Sequence, residues 1–319
     1  MGFVKIKNSK LMEIQQSPLY KKYIEALHWT VVNLDGVNMW FKKIPILGTM
    51  AKIQRPEVLP YLPKLILLLK NHNVRTVVVE SSMNCSQEEF SAWVNGLSKF
   101  FRISKESYLS TKTILVDLSL SEKELFQNFS SAKRRAVRRA EKHGVVVKES
   151  KDIHAMIKVK NVSAGMFGGI TTYGMDKLWN IFSPKNATIL LAYHNPGRSH
   201  HSRNWGIFNS GNKNPAKRDY ERPNLEVVGG ILLLFWENIA YYWLVGATKK
   251  GKQLFAPTLL VWEALKVSKK HGMKLFDFIG VWDERMPKKN TSWKGFTKFK
   301  EGFGGQTLIY PIASLSSNS

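Results

Sequence analysis

The chain has 319 residues, 44% of them hydrophobic, enough for two globular domains of ordinary size and too apolar for a disordered chain. Lys and Arg total 48 against 24 acidic residues; the resulting +24 attracts polyanions such as nucleic acid, anionic lipid or pyrophosphate-bearing metabolites. The single cysteine, Cys85, excludes an internal disulfide and a cysteine-based zinc site. The opening Met1-Gly-Phe-Val-Lys-Ile-Lys carries no apolar core of signal-peptide length, and Leu65–Leu69 and Ile231–Trp236 are far shorter than a membrane span. The expectation is a cytoplasmic protein without a transmembrane segment, whose charge can hold it at the inner face of an anionic membrane.

In chain order, Gln16-Ser-Pro-Leu-Tyr reads as a helix start, with Ser17 as cap and Pro18 at the first helical position. Leu19, Tyr23 and Leu27 recur at spacing four and form its apolar face. Val74–Glu80 and Thr113–Leu118 are rich in β-branched residues and read as strands. Ser121 and Glu124 make a capping box, with Leu120 and Leu125 as a hydrophobic staple. The helix they open carries Leu125, Phe129, Ala132 and Ala136 as a stripe and ends at Gly144, after which Val145-Val-Val starts a strand. A first domain is expected over 1–152, and a second over 153–310, with a tail 311–319 that returns to the first.

Ala187–Tyr193 and Val227–Phe235 read as neighbouring strands. The stretch His194–Leu225 between them is polar, has no apolar period and carries Arg198, Arg203, Lys213, Lys217, Arg218 and Arg222. Such a loop is either a mobile surface insertion or a functional segment that helps to hold a polyanion. Ala240–Ala247 is a strand, Thr248–Pro257 a loop, Thr258–His271 a helix closed by Gly272, and Lys274–Ile279 a strand. Alternating strands and helices argue for an α/β (α+β) fold, mixed sheets covered by helices.

Chemistry is sparser. Cys85 sits in a polar turn without a histidine nearby in sequence and reads as structural. There is no G-x-S-x-G, no H-E-x-x-H and no P-loop, and His200-His201 reads as a solvated pair. Lys133, Arg134, Arg135, Arg138, Arg139 and Lys142 crowd one helix, where like charges at spacing four destabilise. A phosphate-rich partner compensates such a face, and so does simple solvation. Lys288, Lys289, Lys294, Lys298 and Lys300 interleave with Trp293, Phe296 and Phe299. That pattern suits nucleotide stacking, and equally a half-buried strand.

Leu244–Val281 reads V-G-A-T, a basic loop, A-P-T-L-L-V-W-E-A-L-K, K-K-H-G and L-F-D-F-I-G-V; Gly295-Phe-Thr-Lys-Phe-Lys-Glu-Gly-Phe-Gly-Gly305 follows. Together these resemble the C-terminal signature of the Fem-type (FemABX) aminoacyltransferases. Asp117-Leu with the basic helix resembles the family's central helix, and Gln16-Ser-Pro-Leu-Tyr its N-terminal element. The resemblance implies two Gcn5-related N-acyltransferase-like domains that move an amino acid from aminoacyl-tRNA to an amino group of a peptidoglycan precursor, nucleotide- or lipid-linked, without cofactor or metal.

The family's F-K-x-x-F lysine falls at Lys300, after Phe299 and before Phe303. A fixed ammonium there would stabilise the tetrahedral oxyanion of ester aminolysis. The resemblance places substrate-binding roles at Lys22, Thr171, Tyr173, Trp262 and Asp277, and tRNA or phosphate binding at Arg134, Arg135, Arg138, Arg139 and Lys142. The attacking amine loses its proton to the substrate itself, to Asp277 or to Asp283; the sequence does not choose. Three positions depart from the family: its phosphate-binding arginine falls at Tyr173, a precursor-contacting tyrosine at Leu244, and an N-terminal tryptophan at Tyr20. Two other readings stand beside this one. An acyl-CoA-dependent N-acyltransferase would need a pyrophosphate loop, but Gly251-Lys-Gln-Leu-Phe-Ala-Pro lacks paired glycines, and Pro257 lacks a donor. A non-catalytic tRNA or RNA binder accounts for the charge but not for Phe299-Lys300.

Overall fold

The computed structural model describes residues 12–104, 106–194 and 225–313. Nearly all of His194–Leu225, including His200-His201, lies outside the described residues, as do the first eleven residues and the last six. Among the described residues the chain builds two mixed sheets. The first uses β1 (Thr30–Leu34), β2 (Val37–Ile44), β3 (Gly48–Gln54), β4 (Val74–Glu80) and β5 (Arg102–Ile103), in that spatial order. β1 to β3 are antiparallel neighbours, whereas β4 lies parallel to both β3 and β5. Helix α1 (Pro18–Ala26) precedes this sheet, and Ser17 caps it as expected by accepting from the Tyr20 amide. Helices α2 (Leu62–Asn71) and α3 (Gln87–Ser98) supply Leu65, Leu69, Phe90, Val94 and Leu97 to the sheet's core.

The second sheet has seven strands. β6 (Lys112–Asp117), β7 (Val145–Ser150), β8 (Ala187–His194), β9 (Glu226–Trp236), β10 (Ile239–Ala247), β11 (Leu275–Asp277) and β12 (Gln306–Ile309) lie in the order β12-β6-β11-β10-β9-β8-β7. Only β10 and β11 are parallel neighbours. The division between sheets therefore falls between β5 and β6. Both β6 and β7 precede residue 152 yet pair in the second sheet, because their hydrogen-bonding partners come from the C-terminal half. Residues 311–313 run back along the first sheet. Ser81 Oγ donates to the Pro311 carbonyl at 2.7 Å, and Gln87 bonds Ile312 in both directions.

β9 reads as a nearly continuous apolar run because both of its faces are covered. Ile231, Leu233 and Phe235 enter the core under α10 (Ala256–Lys270), while Leu232 and Leu234 face the core built with α6 (Ile153–Ala164) and α8 (Met175–Phe182). A side chain at Gly246 would come within 2.7 Å of the Lys160 backbone, so this glycine lets α6 lie directly on β10. The remaining helices are α4 (Glu122–Asn128), α5 (Ser131–Lys142), α7 (Gly168–Thr171), α9 (Lys249–Gln253) and α11 (Lys294–Glu301).

Three expectations are corrected. The helix opened by the Ser121–Glu124 capping box does not run on to Gly144. It breaks at Phe129, where Ser130 caps α5 by accepting from the Lys133 amide and its own amide is taken by the Gly302 carbonyl. The stretch expected as a loop at Thr248–Pro257 contains α9, with Thr248 as its cap. The interleaved lysines and aromatics before Gly302 form a helix, α11, rather than a strand.

Candidate functional site

Lys300 lies on the inner side of α11 and is 9% exposed. Its ammonium donates to the carbonyls of Phe278 at 2.8 Å, Ile279 at 3.2 Å and Gly280 at 2.5 Å. Three successive carbonyls converge on one point because Ile279 and Gly280 are both left-handed, with φ of 44° and 84°. Ile279 holds a conformation that a β-branched residue adopts only under constraint. The constraint is visible. Asp277 Oδ1 accepts from the Ile279 amide at 2.7 Å and from Thr113 Oγ1 at 2.5 Å, and Thr113 Oγ1 accepts in turn from the Gly280 amide at 3.3 Å. The carbonyl turn is thus tied to the neighbouring strands β6 and β11.

Electrostatics follow from this burial. Desolvation lowers the Lys300 pKa from 10.5 to about 8, opposed by the nearby Asp277 carboxylate. Asp277 is raised by burial, against its bonds from Thr113 and Ile279 and the charges of Lys300 and Arg55. Phe299 and Phe303 flank Lys300 in sequence and pack edge to face at 5.1 Å; Phe303 is buried between Phe129 at 5.0 Å and Phe278 at 5.8 Å, and the Lys300 ammonium lies 5.8 Å over the Tyr242 ring.

The basic helix reaches this cluster through Lys133, whose ammonium sits 3.6 Å over the Phe299 ring and 4.9 Å over that of Phe303. Burial lowers its pKa to about 8. Arg134 donates to the Gln127 carbonyl at 2.8 Å and to that of Phe129, so it terminates α4. Arg135, Arg138, Arg139 and Lys142 are exposed, on the side opposite Val137 and Ala140, which enter the core.

The other sequence candidates lie elsewhere. Lys22 is exposed on α1, and Thr171 and Tyr173 are exposed at the end of α7. Trp262 is half-buried on α10 and packs its ring on Phe126 and Phe129 at 5.2 and 5.5 Å. Tyr20 is buried against Tyr23, Trp40 and Trp243, and Leu244 is in the core. Burial works to raise the Asp283 pKa, but bonds from Arg285 and Thr111 hold it below the usual carboxylate value.

A second buried group carries no signal in the sequence. Glu13 Oε2 lies 3.3 Å from Arg55 Nε, and Glu13 Oε1 accepts from the Met83 amide at 2.9 Å. Burial raises the Glu13 pKa to about 7, against the pull of Arg55. The Arg55 guanidinium stacks 3.4 Å over the Tyr310 ring and donates to the Ser110 carbonyl at 2.5 Å and to that of Ser81. Arg55 also borders a cavity of about 360 Å³ between the sheets, with Glu80, Ser81, Ser107, Thr111 and Ile312. No short motif marks these residues, since their partners are distant in sequence. Among the described residues no group of three or more His, Cys, Asp or Glu side chains could hold a metal ion, and no helix is long and apolar enough to cross a membrane.

The model of the FemAB family matches residues 212–311, which include β9 to β12, α10 and Lys300. No curated protein sequence matches the chain. Among solved structures it is similar to FemX, with a TM-score of 0.68 at 15% identity over 95% of this chain and 92% of that one. It is also similar to the C-terminal domain of a putative lysylphosphatidylglycerol synthetase from Agrobacterium fabrum, with a TM-score of 0.56 at 12% identity over 94% and 88%. Likenesses at such identities speak for the fold, and the family match speaks for the segment that bears Lys300.

Proposed function

We propose, from a C-terminal segment that matches the FemAB family and a fold similar to that of FemX, an aminoacyltransferase that moves an amino acid from aminoacyl-tRNA to an amino group of a peptidoglycan precursor peptide. The observation that carries the proposal is the buried Lys300 ammonium, held by a turn of three carbonyls and lying 5.8 Å over the Tyr242 ring. The acceptor amine attacks the ester carbon, and the oxyanion so formed takes the position facing Lys300. The contact to Ile279, the longest of the three at 3.2 Å, is the one it replaces. Collapse breaks the ester C–O bond. The amine proton passes to the departing ribose oxygen, leaving an amide and free tRNA. A desolvated site strengthens the ammonium's attraction for the oxyanion.

Arg135, Arg138, Arg139 and Lys142 offer phosphate contacts for the tRNA on the exposed side of α5. Lys22, Thr171 and Tyr173 are assigned to the precursor. Such a reaction belongs in the cytoplasm, where charged tRNA is available.

Acyl-CoA is disfavoured as donor by the α9–α10 segment. The amides of Gly251, Lys252, Leu254 and Phe255 are bonded within it, and Pro257 has none, so few are free to cradle a pyrophosphate. The test is a transfer assay with labelled aminoacyl-tRNA, labelled acyl-CoA and a panel of nucleotide- and lipid-linked precursors. Label should reach a precursor from tRNA only. Transfer from acyl-CoA alone, or tRNA binding without transfer, would overturn the proposal.

A further inference from the structure

The path from α6 to α8 leaves an apolar patch without a partner. Within α6, Ile153, Met156 and Val159 enter the core. Beyond Val159 the helix runs on to Ala164 and breaks at Gly165, where φ is 60° and ψ −135°; a short turn at Gly165–Phe167 and then α7 follow, and the apolar residues of this path turn outward. Val162 is 61% exposed, Met166 91%, Ile170 77% and Tyr173 67%, with Phe167 beside them at 63%. They lie on both sides of the break at Gly165, close together in sequence, and form an exposed apolar patch rather than one helical face. The segment is not loose chain. Thr172 is buried, and its hydroxyl donates to Asn161 Oδ1 at 2.9 Å, which pins α7 to α6. A pinned segment that points five large apolar side chains at solvent marks an interaction surface.

Charge selects the occupant. The chain carries +24, so a second copy is repelled. Around the patch the balance has the same sign: over residues 151–177, Lys151, Lys158, Lys160 and Lys177 outnumber Asp152 and Asp176. Lys158 is exposed one turn before Val162. Helix α1, which carries Lys21 and Lys22, abuts the turn after Tyr173, since a side chain at Gly174 would touch Leu27 and Tyr23. Val162, Met166 and Ile170 are aliphatic and stack poorly on bases, so RNA suits the lysines better than the patch. A bilayer with an anionic surface answers both features: apolar side chains enter below the headgroups while lysines meet the phosphates.

We propose that Val162, Met166, Phe167 and Ile170 form an interfacial anchor that seats the protein on an anionic lipid surface. The proposal rests on this surface alone and not on the transfer chemistry, so the two can fail separately. Full-length protein is sedimented with vesicles of phosphatidylglycerol and phosphatidylcholine, and with phosphatidylcholine alone, beside the triple variant M166S/F167S/I170S. The wild type should bind the anionic vesicles, and the triple variant at least tenfold more weakly, with unchanged circular dichroism and melting temperature. As a local probe, Cys85→Ser with Ile170→Cys leaves one thiol for an environment-sensitive dye, whose emission should shift blue on anionic vesicles. Equal vesicle binding by the triple variant, no binding by the wild type, or a dimer that the triple variant abolishes would each overturn the proposal.

Discussion

At the scale of single residues, the proposed chemistry turns on the Lys300 ammonium, buried and held by three carbonyls. The Lys300 pKa is lowered from 10.5 to about 8, so its charge is lost well within an accessible range. The transfer rate should therefore fall as pH rises through about 8. Asp277→Asn removes the carboxylate that opposes this shift and should move the fall to lower pH. Lys133 has a similar pKa, so Lys133→Met serves as the control and should leave the fall in place. The stability sign is the reverse of the activity sign. Below pH 8 the folded protein bears the full cost of burying the charge, and between 8 and 10.5 that cost is relieved. The melting temperature of the wild type should thus gain on that of Lys300→Met over this interval. Thr113 acts one step back, as a positioning residue, because its hydroxyl holds both Asp277 and the Gly280 amide. Thr113→Val should slow transfer and shift the pH profile, and Thr113→Ser should restore both.

At the scale of elements, α4, α5 and α11 meet at Phe129 and Phe303. Phe303→Ala empties a buried site and should cost about 3–5 kcal/mol in denaturant unfolding. On the exposed side of α5, Arg135→Gln with Arg139→Gln should weaken tRNA binding and lower the salt slope by roughly one unit for each phosphate no longer neutralised; an unaltered slope would mean a merely solvated face.

Elements specified by local signals were legible. The Ser17–Pro18 start and the Ser121–Glu124 box need only neighbours in sequence. The break at Phe129 was not, because the group that takes the Ser130 amide is the distant Gly302 carbonyl. In α11, alternating lysines suggested a period of two, whereas Trp293, Phe296, Phe299 and Phe303 follow helical spacing. Lys300 stands out in the sequence only through the F-K-x-x-F motif. Thr113 passed as an ordinary strand residue, since its partner Asp277 is 164 positions away.

At the scale of the molecule, the two sheets and the C-terminal segment are joined through buried charge. Arg55, at the end of β3, bonds carbonyls of Ser81 and Ser110, pairs with Glu13 and stacks on Tyr310 after β12. Arg55→Met would strand the Glu13 carboxylate and should destabilise by about 3–5 kcal/mol, whereas Arg55→Met with Glu13→Gln should recover part of that loss. The double-mutant cycle in chemical denaturation checks the coupling.

In the proposed reaction this assembly presents one ammonium to a reacting ester. This claim is tested most directly by single-turnover transfer from labelled aminoacyl-tRNA to a precursor amine with Lys300→Met, which keeps the apolar stem. The expected rate is lower by roughly a hundred- to a thousandfold, about 3–4 kcal/mol, with the binding of both substrates little changed. A near-normal single-turnover rate in that variant would contradict the claim.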